Sequence, residues 1–298
     1  MRAALTERAV ELERSRVPFV HATVVRVERP TSARAGDSAL IHANGDIEGF
    51  VGGSCAESSV RLFALEALAS GEPVLLRVRP GEPGTMYGEG AVTVANPCLS
   101  GGTLEIFLEP RRPAPRLLVV GDTPVAQALL ELGGPLGFEV TLVAGEDAEP
   151  NGEEAALIVA SHGRGEEPAL ERALRAGTPY VALVASRVRG AAVVASLDTD
   201  DDLRGLVHCP AGLEIGARSA PEIALAILAE LVATRAPGLE ASGANVAPAT
   251  ALDPICGMPV AITPGTIQLE QQGGSVYFCG DHCRAAFVAN LAGSPTAP

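Results

Sequence analysis

The sequence predicts an α/β protein in three pieces: an N-terminal α+β domain over residues 1–110, a Rossmann-like doubly wound parallel sheet over residues 116–235, and a small metal-binding strand-turn-helix module over residues 251–292. Three observations predict it. From residue 117 onward, short apolar runs rich in Val and Leu alternate with helical runs, which is the βαβ rhythm of a parallel sheet. Before residue 110 that alternation is absent, and the chain reads helix, strand, hairpin, helix. After residue 250 come three of the chain's six cysteines, in C-x22-C-x3-C spacing.

In the first piece a helix near residues 2–16 precedes the strand Phe19–Val27. The run Ala39-Leu40-Ile41-His42 turns at Ala43-Asn44-Gly45-Asp46, a hairpin signal. A second helix begins at Cys55, where Ser54-Cys55-Ala56-Glu57 fits a capping box with Ser54 as N-cap and Glu57 at N3. Val60, Phe63, Ala64, Ala67 and Leu68 then form its buried stripe. Just before this helix, Gly52 and Gly53 allow backbone amides to approach a ligand closely, and the helix dipole favours a thiolate at Cys55. Glu57 pulls the other way. A second cysteine-glycine loop, Cys98-Leu99-Ser100-Gly101-Gly102, precedes the strand Leu104–Leu108. Thiols so placed bind a metal or a sulfur-bearing ligand, accept sulfur, or fill space, and the residues alone leave these readings open.

The run Arg111-Arg112-Pro113-Ala114-Pro115 marks a linker into the second piece. Strands are predicted near 117–120, 138–143, 155–160 and 179–185, and helices near 124–134, 166–176, 187–196 and 221–234. Ligands of open α/β sheets bind beyond the carboxyl ends of the strands. Four such ends carry candidates: Gly121-Asp122-Thr123, Gly145-Glu146-Asp147, Ser161-His162-Gly163 and Ser186-Arg187. Thr123 caps a helix with Pro124 at its first position. A dinucleotide fingerprint needs glycine where Thr123 stands, so Gly121-Asp122-Thr123-Pro124-Val125-Ala126 marks the fold and argues against a redox nucleotide. His162 can hydrogen-bond or protonate a ligand, and Arg187 can pair with a phosphate bidentately.

Residues 236–250 are small and rich in Pro and Gly, as suits a flexible tether. In the tail beyond them, Cys256, Cys279 and Cys283 form a soft-ligand set suited to Zn or Cu(I), with His282 and Met258 alongside. The x3 spacing puts Cys279 and Cys283 about one helical turn apart on one face.

Composition bounds the function. A net charge of −14 argues against nucleic acid as a partner, and no apolar run reaches the roughly 18 residues of a membrane span. The charged start Met1–Arg8 is unlike a secretory signal, so the expectation is a cytoplasmic protein with reduced thiols. All 22 basic residues are arginine. The missing lysine excludes a Schiff-base lysine and a Walker P-loop.

Two resemblances arise from these residues. The tail, with Asp253-Pro254-Ile255-Cys256-Gly257-Met258 and Tyr277-Phe278-Cys279 through Cys283 to Phe287, resembles the YHS (TRASH-like) metal-binding module. Most of residues 1–235 resembles the xanthine dehydrogenase accessory family, the XdhC and CoxI proteins. That resemblance rests on Arg29–Gly36, Gly49–Glu57, Cys98–Gly102, Ser161–Gly163, Val184–Arg187 and, most specifically, Pro210–Ala224. It implies a maturation factor, not a turnover enzyme, that binds molybdenum cofactor (molybdopterin) as cargo, protects it, helps to sulfurate it and inserts it into a molybdenum hydroxylase such as xanthine or carbon monoxide dehydrogenase. Carried over residue by residue, it places cofactor contacts at Gly52, Gly53, Cys55, Cys98, Gly101, Gly102, Gly121, His162, Ser186 and Arg187; the tail's own spacing and resemblance place metal at Cys256, Cys279 and Cys283. The hydroxylase is the implied partner, a cysteine desulfurase a further candidate, and a homodimer a candidate assembly. The sequence departs from the family pattern at Asp122 and Thr123, at Arg164–Glu167 and at Ala185. Two alternatives remain beside this reading: an NAD(P)-dependent oxidoreductase, and a copper or zinc trafficking protein.

Overall fold

The computed structural model describes residues 2–96, 102–234, 247–271 and 274–293. In chain order the first piece runs α1 (Arg2–Arg14), β1 (Phe19–Glu28), β2 (Ser38–His42), β3 (Ile47–Gly49), α2 (Ser54–Ser70), β4 (Val74–Pro80), β5 (Gly84–Gly88), β6 (Ala91–Asn96) and β7 (Thr103–Arg111). The second runs β8 (Arg116–Val120), α3 (Pro124–Gly133), β9 (Glu139–Val143), β10 (Ala156–Val159), α4 (Glu166–Ala176), β11 (Tyr180–Leu183), α5 (Arg187–Ser196), α6 (Asp201–Arg204), β12 (Val207–His208) and α7 (Ala220–Ala233). The tail adds β13 (Thr250–Leu252), β14 (Pro259–Ala261), β15 (Ile267–Gln271), β16 (Gly274–Phe278) and α8 (Asp281–Gly293).

The first piece builds a seven-stranded mixed sheet in the order β3-β2-β1-β7-β4-β6-β5, antiparallel except where β4 lies parallel to β6. Side chains alternate across it as strand geometry requires. Val20, Ala22 and Val24 of β1 face the side that α2 covers, while Phe19 faces the other, where it meets Leu12 of α1 and Leu40. The predicted stripe of α2, from Val60 to Leu68, is buried throughout. Its predicted cap is not formed. Gly53, in extended conformation, stands at the N-cap, no side chain caps the helix, and Ser54 is already its first helical residue. A complete capping box appears instead on α7, between Ser219 and Glu222.

The second piece is a five-stranded parallel sheet in the order β12-β11-β10-β8-β9. Leu117, Val119, Ile158 and Ala182 pack with α3 and α7 on one face, and Leu118, Val120, Leu157 and Leu183 pack with α4 on the other. This is the doubly wound α/β arrangement, with strand order reversing between β8 and β10.

The chain divides into two compact units. Unit 2 is residues 114–243; unit 1 joins residues 1–113 to residues 244–298. The sequence reads the tail as a separate third piece, yet Met258, Val260, Ala261, Phe278, Cys279 and Cys283 belong to the same buried core as Val60, Phe63 and Ile106. The reason is visible in composition: two two-stranded hairpins and one helix bury too little apolar surface to stand alone. Most of the predicted tether, residues 236–246, lies outside the described residues. No helix among the described residues is long and apolar enough to cross a membrane.

Candidate functional site

The tail brings its three cysteines together. Cys256 sits in the turn between β13 and β14, Cys279 in the turn after β16, and Cys283 in the first turn of α8. Cys279 therefore does not share a helical face with Cys283 as the spacing suggested; a β-strand ends at Phe278 and the helix starts only at Asp281. The sulfurs nonetheless converge, with Cys256 Sγ 3.5 Å from Cys279 Sγ and Cys279 Sγ 3.6 Å from Cys283 Sγ. Thiolates at about 2.3 Å from a tetrahedral zinc lie roughly 3.8 Å apart, so this spacing suits a shared soft ion, whereas a disulfide needs about 2.05 Å.

Asp253 joins this cluster, its carboxylate and the three sulfurs lying within 4.8 Å of one another. The sequence reading passed it over. Its side chain is 1% exposed. Oδ1 accepts the amides of Ile255 (2.9 Å) and Cys256 (3.3 Å), and Oδ2 accepts the amide of Cys279 (2.8 Å). Burial raises its pKa, but the Cys279, Ile255 and Cys256 hydrogen bonds outweigh that and hold the carboxyl below its ordinary value. Asp253 thus ties both thiol-bearing turns together through their backbones. An aspartate two residues before a loop residue is the Asx-turn signal that would have found it. Burial, first, raises the Cys256 thiol and lifts Cys283 to about 12, the latter with added repulsion from Cys256 and Asp253. Such thiols become thiolates when a cation stands among them. His282, a candidate fourth ligand, is exposed, and Met258 is buried in the hydrophobic core.

The glycine-cysteine turn occupies the N-terminal end of α2. Gly52 has φ +144°, and a β-carbon there would stand 3.0 Å from Ala56 Cβ and 3.1 Å from Leu104 Cδ1. Gly53 faces open space, with nothing within 4 Å of the corresponding position. Cys55 is the second residue of α2. A β-carbon on Gly102 would meet the carbonyl oxygen of Pro30 at 2.0 Å. So the Arg29–Gly36 segment, the Gly52–Cys55 turn and the end of the second cysteine-glycine loop meet at one corner. Cys98 and Gly101 themselves lie outside the described residues. An uncapped helix N-terminus with two glycines before it leaves backbone amides that suit an anion.

Unit 2 carries two clefts at the carboxyl edge of its sheet. The first, of about 600 Å³, is lined by Gly121, Asp122, Glu146, Ser161 and Arg164. Gly121 has φ +122°, and any β-carbon would press on the Ala160 carbonyl oxygen at 2.3 Å. Thr123 fills this turn: its Oγ1 donates to Ala160 O (2.8 Å) and accepts from Ala126 N (3.3 Å). An Asp122–Arg164 ion pair stands beside it. The second cleft, of about 710 Å³, brings together His162, Ser186 and Arg187, three of the residues singled out from sequence, with Arg189 and Glu214. His162 holds φ +54°, an uncommon backbone state for a residue other than glycine. Ser186 caps α5, accepting from Arg189 N, and Arg187 pairs with Glu214 at 2.6 Å. Behind them Glu166, 1% exposed, accepts both Arg189 Nη groups at 2.6 Å and the Gly163 amide at 2.7 Å. Glu166 and Arg189 escaped the sequence reading, since nothing in the local pattern distinguishes a buried pair from two surface charges.

Comparison with known proteins places these features. The profile described as the XdhC Rossmann domain matches residues 117–231, and that of the XdhC and CoxI family matches residues 12–79; together they cover more than half of the chain. The chain belongs to the XdhC and CoxI family. A curated relative, the uncharacterized protein YqeB of Escherichia coli strain K12, is 27% identical over 263 residues, covering 77% of this chain. The chain spans about half of that relative, 46% of its length. A solved chain described as a xanthine dehydrogenase from Bacillus halodurans is 16% identical, covering 77% of this chain and 96% of that one, at a TM-score of 0.39. In this XdhC and CoxI family chain the Gly52–Cys55 turn lies inside the match over residues 12–79, and Gly121, His162, Ser186 and Arg187 lie inside the match over residues 117–231. The tail thiol cluster lies outside both.

Proposed function

We propose that the protein is a maturation factor for a molybdenum hydroxylase, of the xanthine or carbon monoxide dehydrogenase type, that holds molybdenum cofactor as cargo for sulfuration and insertion and carries a soft metal ion, Zn or Cu(I), in its tail. The observation that carries this reading is the corner at the start of α2, where glycine-given space, uncapped helical amides and a cysteine coincide. Gly52 and Gly53 would let the backbone meet the cargo, and Cys55 would bind its molybdenum or accept the sulfur that a cysteine desulfurase supplies. In unit 2, Arg187 and the α5 N-terminus at Ser186 would hold the pterin phosphate, with His162 at the cleft wall. The cofactor supplies the molybdenum-sulfur chemistry; the chain's part is to bind, orient and shield. Thr123, locked across the turn after β8, speaks against the nicotinamide alternative. The tail cysteines fit a soft ion by their spacing and identity, as argued above.

The test is Cys55→Ala, small and helix-compatible, in a host that makes the cofactor. Bound pterin per folded chain is expected to fall by at least the roughly tenfold that losing even an outer-sphere partner costs a metal site, with client activation falling alongside. Cys209→Ala, remote in sequence and without a glycine-rich turn, should change neither. Wild-type pterin retention by a folded Cys55→Ala chain would refute the assignment.

A further inference from the structure

Two arginines line the second cleft of unit 2, and each already holds a carboxylate. Arg189 is tied to Glu166 by two bonds of 2.6 Å, and Glu166 also accepts the Gly163 amide. Arg187, at the start of α5, is tied by a 2.6 Å bond to Glu214, which stands on the Pro210–Ala217 loop that forms another wall of the cleft. The two pairs differ in burial: the Arg187 and Glu214 side chains are 75% and 85% exposed, the Glu166 side chain 2%. An exposed ion pair is favoured over its separated, hydrated partners by about fivefold at most. Taking the partner from a buried carboxylate costs on the order of a hundredfold or more. An anion that enters the cleft therefore displaces Glu214 and leaves Glu166 in place. The loop need not move for this exchange. Glu230 holds the Gly212 amide at 2.7 Å and the Ala226 carbonyl holds that of Leu213 at 3.1 Å, so Glu214 follows an anchored stretch and only its side chain has to swing.

We propose that Glu214 is a built-in competitor for the anion site of this cleft: its carboxylate holds Arg187 until a phosphate group takes its place. The inference rests on the reading above in which Arg187 meets the phosphate of the cargo. A phosphate monoester brings close to two negative charges and three acceptor oxygens to the guanidinium, against a single charge from the carboxylate, so the exchange favours it. A small carboxylate from solution has no such advantage over one already tethered beside the site. Glu214 thereby sets both the affinity of the cleft and the class of anion that it admits.

Calorimetric titration of inorganic phosphate into the full chain at low ionic strength tests the exchange, in a double-mutant cycle of Glu214→Gln and Arg187→Gln. Both side chains are exposed, so the variants should fold. Glu214→Gln is expected to bind phosphate about threefold more tightly than the wild type, within the range set by an exposed pair. A merely structural glutamate would lower affinity when replaced. Arg187→Gln is expected to weaken binding, and in its background the gain from Glu214→Gln should shrink below about 1.5-fold. Where the wild type binds, equal or weaker binding by Glu214→Gln overturns the proposal. So does an undiminished gain in the Arg187→Gln background, which would mark a general effect of charge. Phosphate binding by neither the wild type nor Glu214→Gln, or binding untouched by Arg187→Gln, overturns the anion reading of the cleft itself.

Discussion

Glu230 shows how a single side chain can organise unit 2. Its carboxylate accepts the Tyr180 hydroxyl and the Gly212 amide, each at 2.7 Å, and His208 Nδ1 lies 3.0 Å away. Burial works to raise its pKa, and the bonds from Tyr180, His208 and Gly212 more than reverse that, leaving the carboxyl below its ordinary value. A carboxyl depressed in the folded state stabilises above its unfolded pKa and loses that contribution as pH falls through the folded one. Unit 2 is thus expected to lose stability as pH drops below about 4.5, the unfolded range of a glutamate. Glu230→Gln should flatten that slope while lowering stability at neutral pH, as thermal melts at pH 7 and pH 4 will register; an unaltered slope would assign acid sensitivity elsewhere. Residues of this kind are the least legible in a sequence. Cys256, Cys279 and Cys283 announced themselves by spacing, because few arrangements suit three thiols. Asp253, Glu166 and Glu230 look like any surface acid until the chain folds over them.

Elements were more legible, because periodicity and strand ends are local signals. The four expected helices of unit 2 fall within a residue or so of their bounds, though the short α6 was not expected, and the turn at Asn44-Gly45 forms as expected. What escaped was non-local. Strands β4 and β6 alternate buried and more exposed residues, but β5 is exposed along most of its length at the sheet's edge, and β6 pairs in parallel with β4 although β5 lies between them in the chain. The cap of α2 moved by one residue for a related reason: Gly53, extended at the N-cap, starts the helix one residue earlier than the serine rule does. Gly121 follows β8 with φ +122°, and a β-carbon there would press on the carbonyl of Ala160, the residue after β10. Gly121→Ala should cost unit 2 roughly 2–4 kcal/mol through backbone strain and overpacking. Urea unfolding measures this directly, and a loss below about 0.5 kcal/mol, the range of ordinary surface changes, would show the turn to be compliant.

On the scale of the whole molecule, unit 2 is an insertion: the chain leaves unit 1 near Pro113 and returns to it near Ala244. Ending the chain at residue 235 should therefore do more than remove three cysteines. It strips Met258, Val260 and Phe278, each about 1% exposed, from the core shared with α2. That burial is worth on the order of 5 kcal/mol. Calorimetry of the truncated chain should show unit 1 melting well below its full-length value with unit 2 unmoved; two unmoved transitions would make the tail a removable appendage. This division into two was hidden in the sequence, where a run of Pro, Gly and Ala separates the tail from everything before it and gives no sign of where it docks. The same topology sets an order of events during synthesis. Unit 2 is one continuous stretch and can close once its last helix has emerged, whereas the core of unit 1 waits for Phe278 and Cys283. At roughly 5–20 residues per second, the apolar side of α2 stays open for about 10–40 s after β7 has been made. Whatever shields that surface in the interval must leave before α8 arrives, so the start of α2 reaches its final surroundings later than any part of unit 2.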